Sequence, residues 1–276
     1  MYRNIKLRLG LWLCVIAVSA LGIVGAIYLG NIYLEIIKQG GVPKSTKVNN
    51  SNSKSVVALE EQKTLLLNPI PVYYLQAGVY SDVPGAQEAA KPLADLGYMP
   101  YITQSTPYRI WLGVYQKRGD TEFIKQQLKD KGFGSFTASC VINGSNVRYS
   151  KGSELFIKEI TPILETYTRW LKESLTLFHA DNVARLNWDL IDGQRTVIDK
   201  VYKDVSNQNR EIKTNNDAIN QRFAVLYDTT AGYQNQLDLF CKQRDQKAFQ
   251  TLQNELLRFV DNYLLLWQEI DNISKT

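Results

Sequence analysis

One stretch of this chain repeats itself at an offset of 35 residues, and that constrains the fold more than any other feature. Tyr73-Tyr74-Leu75-Gln76-Ala77-Gly78-Val79-Tyr80 returns as Tyr108-Arg109-Ile110-Trp111-Leu112-Gly113-Val114-Tyr115. Asp95-Leu96-Gly97-Tyr98 returns as Asp130-Lys131-Gly132-Phe133. Between them each half carries a helix-like segment with one apolar face: Ala86, Ala89, Ala90 and Leu93, then Phe123, Ile124 and Leu128. Each half therefore reads strand, turn, helix, glycine stop, strand. Two fused βαβ halves predict an α+β unit of the split βαβ (ferredoxin or RNP-like) type, a four-stranded antiparallel sheet with two helices.

Alternation assigns the strand faces. Tyr73, Leu75 and Ala77 share one side of the first strand, and Tyr74, Gln76 and Gly78 the other. In the third strand Tyr108, Ile110, Leu112 and Val114 oppose Arg109, Trp111 and Gly113. The apolar sets have to meet the helices. That leaves Tyr74, Gln76, Arg109 and Trp111 side by side on an uncovered face, with Tyr80 at its rim. Flat aromatics can cover the C–H face of a sugar ring. The Gln76 amide and the Arg109 fork supply donors for hydroxyl or N-acetyl oxygens.

The Tyr-x-Leu-Gln-x-Gly-x-Tyr segment, the Leu-Gly-Tyr helix stop and Tyr108-Arg109-Ile110-Trp111-Leu112-Gly113 together resemble the SPOR (sporulation-related repeat) domain, over residues 70–143. The resemblance implies binding to peptidoglycan strands that have lost their stem peptides, in a single-span envelope protein of division or sporulation. It also implies glycan contacts for Gln76 and Arg109. Three features depart from the family pattern. Val79 stands where a small hydroxyl residue is common. Pro92 sits inside the first helix, where a kink or late start is expected. Pro100 falls in the second strand, tolerable only at a sheet edge. The second helix is expected to begin with Asp120 as N-cap and to stop at Gly132. RNA-recognition modules share this topology, but their basic-Gly-aromatic-Gly-aromatic signature is absent from the third strand.

The rest of the chain reads as support. Residues 1–8 form a cytoplasmic tail with Arg3, Lys6 and Arg8. Residues 9–34 carry no charge and are long enough to span a bilayer. Val18-Ser19-Ala20 also has the form of a signal-peptide cleavage site, but the apolar run continues well past it. Positive residues ahead of the span put the N-terminus in the cytoplasm and the remaining domains outside it, a single-pass cell-membrane protein. Gly22, Ala26 and Gly30 offer a close-packing stripe for a homodimer. Residues 35–69, rich in Gly, Ser and Asn, read as a flexible linker, with Gln62 to Leu67 as a turn or two of helix.

The positive charge sits in the head: +5 over residues 1–70, +2 over 71–150 and −2 over 151–276. A nucleic-acid reader would concentrate it in the folded modules, so no nucleic-acid partner is expected. Residues 151–276 turn to helical periodicity. Their three apolar stripes (Phe156 to Phe178, Val197 to Leu226 and Leu252 to Ile273) predict three long helices in a bundle, with breaks at Asp192-Gly193 and Thr229 to Gly232. That bundle is a candidate seat for a protein partner.

Catalytic chemistry is thin. One histidine, His179, and three dispersed cysteines, Cys14, Cys140 and Cys241, give no zinc-type ligand set and no disulfide framework, though Cys140 and Cys241 could pair if the domains touch. No phosphate-binding glycine loop follows a strand. The expectation is a binding protein with no cofactor and no metal. The competing expectation is an assembly protein whose sheet face binds no sugar, in which case Trp111 and Arg109 would be buried against the bundle.

Overall fold

The helix stops of the two half-repeats are built alike. In this computed structural model, which describes residues 63–143, 147–149, 151–179 and 183–275, Gly97 and Gly132 take φ of +85° and +83°. Each follows a helix, α1 (Val83–Asp95) and α2 (Glu122–Asp130). Tyr98 N–H reaches back to the Leu93 carbonyl and Gly97 N–H to Ala94; Phe133 reaches Leu128 and Gly132 reaches Lys129. These are matched Schellman caps, which need a residue at ease with positive φ.

Around the helices run β2 (Ile70–Tyr80), β3 (Tyr101–Ile102), β4 (Tyr108–Tyr115) and β5 (Phe136–Ile142), in the antiparallel order β3-β4-β2-β5. A further short strand, β1 (Lys63–Leu65), pairs with β6 (Val147–Tyr149). The helical turns expected up to Leu67 are therefore replaced by a strand at residues 63–65. The expected anchor, the expected cytoplasmic tail and most of the expected linker lie outside the described residues. Among the described residues no helix is long and apolar enough to cross a membrane.

The prolines act differently from each other. Pro100 immediately precedes the edge strand β3, as its missing N–H requires. Pro92 does not delay α1, which starts at Val83. Asp82 caps it there, accepting from Gly85 N–H at 2.8 Å. The N-cap position of α2 is Thr121, one residue after the expected Asp120. A single 3-10 turn, Arg118–Thr121, leads into it, and the Thr121 hydroxyl bonds Arg118 O and Thr137 instead.

The C-terminal region holds four helices among the described residues: α3 (Glu154–Leu175), α4 (Trp188–Glu211), α5 (Asp217–Gln243) and α6 (Gln246–Lys275). The expectation of three is corrected here. The stripe from Val197 to Leu226 breaks at residues 212–216, where the Asn216 side chain caps α5 by accepting from Ile219 N–H. Asp192-Gly193 and Thr229 to Gly232, expected as breaks, lie inside helices. Buried threonines explain the second case: the Thr229 and Thr230 hydroxyls bond carbonyls one turn back, so the polar run costs the helix no unpaired group.

The described residues fall in one compact unit. A small core under α1 and α2 contains Leu75, Ala90, Leu93, Ile110, Leu112, Tyr115, Ile124 and Leu128. A larger core joins the opposite sheet face to the bundle.

Candidate functional site

The repeat carries its own irregularity. Leu75 pairs with Gly113 and Gln76 with Trp111, skipping Leu112; Gly78 then pairs with Ile110, skipping Ala77. Ala77 and Leu112 occupy the same position of the repeat, 35 residues apart. Each extra residue inverts the alternation beyond it. Two expectations change as a result. Val114 turns away from α1 and α2 into the bundle core, and Tyr80 turns toward α1 and α2 rather than standing at the rim of the open face. In both halves a tyrosine folds back over the glycine two residues earlier. A Cβ on Gly113 would lie 2.7 Å from the Tyr115 hydroxyl, and Tyr115 is fully buried.

The resulting face has pseudo-twofold symmetry about the Gln76–Trp111 pair, with Tyr74 opposite Val114 at one end and Val79 opposite Arg109 at the other. It is not uncovered. Trp111 and Gln76 are each 2% exposed and Tyr74 8%. Tyr74 and Trp111 share the bundle's core, their ring centroids 4.5 Å apart. Helix α6 lies against β4, β3 and β6. Arg109 stays half-buried at the rim, one guanidinium N–H donating to Pro107 O at 3.0 Å, beside Val79 at 49% exposure. Burial pushes the Tyr74 hydroxyl up to about 12.

Polar bonds fasten the same contact. Asp261 of α6 accepts from the Tyr101 hydroxyl at 2.9 Å and from Gln104 N–H at 2.8 Å; Gln104 Nε2 donates to Asn262, and Asn254 donates to Met99 O. At the far end Asn143 Nδ2 donates to Thr168 of α3 at 2.8 Å, and the buried Tyr263 hydroxyl bonds Thr168 and Asn143. Sequence reasoning missed these residues. Asp261 and Asn262 left no signal in the sequence, because they fall between the seam positions Phe259 and Tyr263 and leave the apolar stripe unbroken.

Asp261 makes a pH prediction. Desolvation raises its pKa above the ordinary carboxylate value, while the bonds from Gln104 and Tyr101 and the Arg109 charge pull it partly back. A carboxyl with a raised folded pKa favours the protonated folded state, so stability falls as pH rises from about 4 through the raised value. Asn keeps the acceptor and removes the charge. Asp261→Asn should therefore melt higher than wild type at pH 7, with the gap closing toward pH 3.5. A melting temperature below wild type at neutral pH would show that the charge, through Arg109, is the stabilising element.

Cys140 and Cys241 are free thiols, so the pairing weighed from sequence is not made. His179 Nδ1 sits 3.0 Å from Thr176 O, a local contact at the end of α3. Among the described residues no three His, Cys, Asp or Glu side chains converge as a metal site.

A doubled βαβ unit with matched glycine stops, and Leu-Gln-x-Gly and Tyr-Arg-Ile at its centre, is now placed in three dimensions. Residues 71–146 match the SPOR domain family model. No curated protein and no solved structure matches the chain. SPOR domains are non-catalytic binding modules, and the match implies a peptidoglycan-binding role connected with cell division. It covers just over a quarter of the chain; the bundle has no counterpart in it.

Proposed function

We propose that this is a non-catalytic, membrane-anchored envelope protein that associates with peptidoglycan at sites of wall remodelling, and whose SPOR sheet face is the permanent seat of its helical bundle. The family match supports the wall association. Burial of Trp111 and Tyr74 in the bundle core carries the second clause. Six side chains of the four-stranded sheet enter that core: Ile70, Val72, Tyr74, Trp111, Val114 and Ile142. At about 1.5–3 kcal/mol each, an upper bound, they contribute roughly 9–18 kcal/mol, comparable with the whole stability of an ordinary domain at about 5–15 kcal/mol. A glycan strand reaching that face would have to supply this free energy first. Tyr74, Gln76 and Trp111 therefore act as core, and Arg109, at the open rim, is the member of the expected set that remains available to sugar. The bundle, held rigidly on the module, is what wall binding would position.

The test is co-sedimentation of residues 58–276 with intact and amidase-stripped sacculi, alongside Arg109→Ala and Gln76→Ala. The expected result is pelleting with sacculi, lost in Arg109→Ala and kept in Gln76→Ala. Loss in a folded Gln76→Ala protein would return the sheet face to the glycan. Failure of the folded wild type to pellet would remove wall binding and leave an assembly protein.

A further inference from the structure

The four-stranded sheet treats its two edges differently. β3, at one edge, is two residues long, and Tyr101 and Gln104 tie it to α6. β5, at the other, is seven residues long, Phe136-Thr137-Ala138-Ser139-Cys140-Val141-Ile142, with no charge and no proline. Among the described residues no strand pairs with its outer side. Phe136 and Val141 are 50% and 53% exposed, and Ser139 is exposed too. Long edges are normally blunted by Lys, Pro, a bulge or a covering element, because their free N–H and C=O groups recruit another strand. β5 has none of the first three, and α6 lies on the β3–β4 side of the sheet.

We propose that β5 is a self-association edge: two copies pair their β5 strands antiparallel about Ser139, joining two four-stranded sheets into one. Backbone chemistry restricts the occupant to an extended strand. A second copy of β5 fits because every residue then has a compatible partner. Ser139 faces Ser139, Ala138 faces Cys140, Thr137 faces Val141 and Phe136 faces Ile142, with no like charges opposed. The half-exposed Val141 gains a neighbour on the α1–α2 side, and Phe136 gains one on the bundle side. A twofold axis through Ser139 also closes the assembly, so pairing stops at two copies.

The experiment is sedimentation equilibrium of residues 58–276, which carry the whole described core, across a wide concentration series. Wild type should reach dimer mass. Ser139→Lys, which sets two like charges face to face at an exposed position, should be monomeric with an unchanged circular-dichroism spectrum. Mixing Ser139→Lys with Ser139→Glu should restore the dimer. In a Cys140→Ser, Cys241→Ser background, Ser139→Cys should form an intermolecular disulfide and Ser81→Cys should not. A monomeric wild type at every concentration, or a dimer indifferent to Ser139→Lys, would overturn the proposal. Dimerisation that survives Ser139→Lys would place the contact elsewhere on the molecule.

Discussion

Replacing Trp111 by alanine is expected to lower the unfolding free energy of residues 58–276 by about 3–5 kcal/mol. Its indole is 2% exposed, lies 4.5 Å from the Tyr74 ring and 6.1 Å from that of Tyr101, and sits at the centre of the contact between sheet and bundle. Its N–H has no hydrogen-bond partner, which places the loss toward the lower end of that range. Trp170 leaves its own unpaired in the same core, so the orphan N–H is no sign of an absent ligand. Arg109→Ala, one row away at the rim, should cost within about 0.5 kcal/mol, as surface changes usually do. Urea unfolding followed by circular dichroism and by fluorescence checks both values. The two probes should report one transition, because the sheet and the helices share one core. Two separate transitions, with Trp111→Ala moving only the first, would show that the bundle stands apart from the sheet.

What the sequence disclosed follows from what kind of signal each feature leaves. The fold of residues 70–143 was legible because the repeat aligns like with like: Gly97 with Gly132, Leu93 with Leu128, Leu75 with Ile110. Helix stops need positive φ, and only a few residues supply it. The bulges were not legible. Ala77 and Leu112 are ordinary strand residues, and nothing in their chemistry marks an extra residue in a ladder. Strict alternation therefore misplaced Tyr80 and Val114, which lie beyond the bulges.

The burial of the candidate face was hidden for a different reason. Tyr74, Gln76 and Trp111 were correctly put on one face, opposite α1 and α2. An aromatic face suits a sugar and a leucine-rich helix equally well, and only the tertiary packing decides between them. The stripe of α6 that includes Leu256, Phe259, Tyr263 and Leu266 looked like a seam between helices, yet it also meets the sheet. Its Asp261-Asn262 step is polar because it faces the backbone and side chains of residues 101–104, and a helix wheel has no means of showing that.

Cutting the module free is the converse experiment, and its effect should be larger still. A fragment of residues 71–146 keeps the small core under α1 and α2 but exposes Val72, Tyr74, Trp111, Val114 and Ile142, which are at most 8% exposed in the intact unit. Tyr and Trp bury about 150–250 Å² apiece, so these two rings alone open roughly 300–500 Å² of aromatic surface. That already matches the largest apolar patch a soluble monomer usually tolerates, and the aliphatic residues beside it enlarge the patch. The fragment also loses the partners of Asn143, whose amide bonds Thr168 and Tyr263 in the intact unit. It should therefore form assemblies larger than a dimer on size exclusion, bind a hydrophobic dye, and unfold without a sharp transition, while residues 58–276 grow no larger than a dimer, bind no dye and unfold sharply. The opposite outcome has a definite meaning. A soluble, cooperatively folded fragment, no larger than a dimer, that pellets with stripped sacculi, where residues 58–276 do not, would make Tyr74, Gln76 and Trp111 a glycan site after all and turn the bundle into its removable cover. The energy of six buried side chains argues against that outcome, because a cover held this firmly would need an outside agent to lift it.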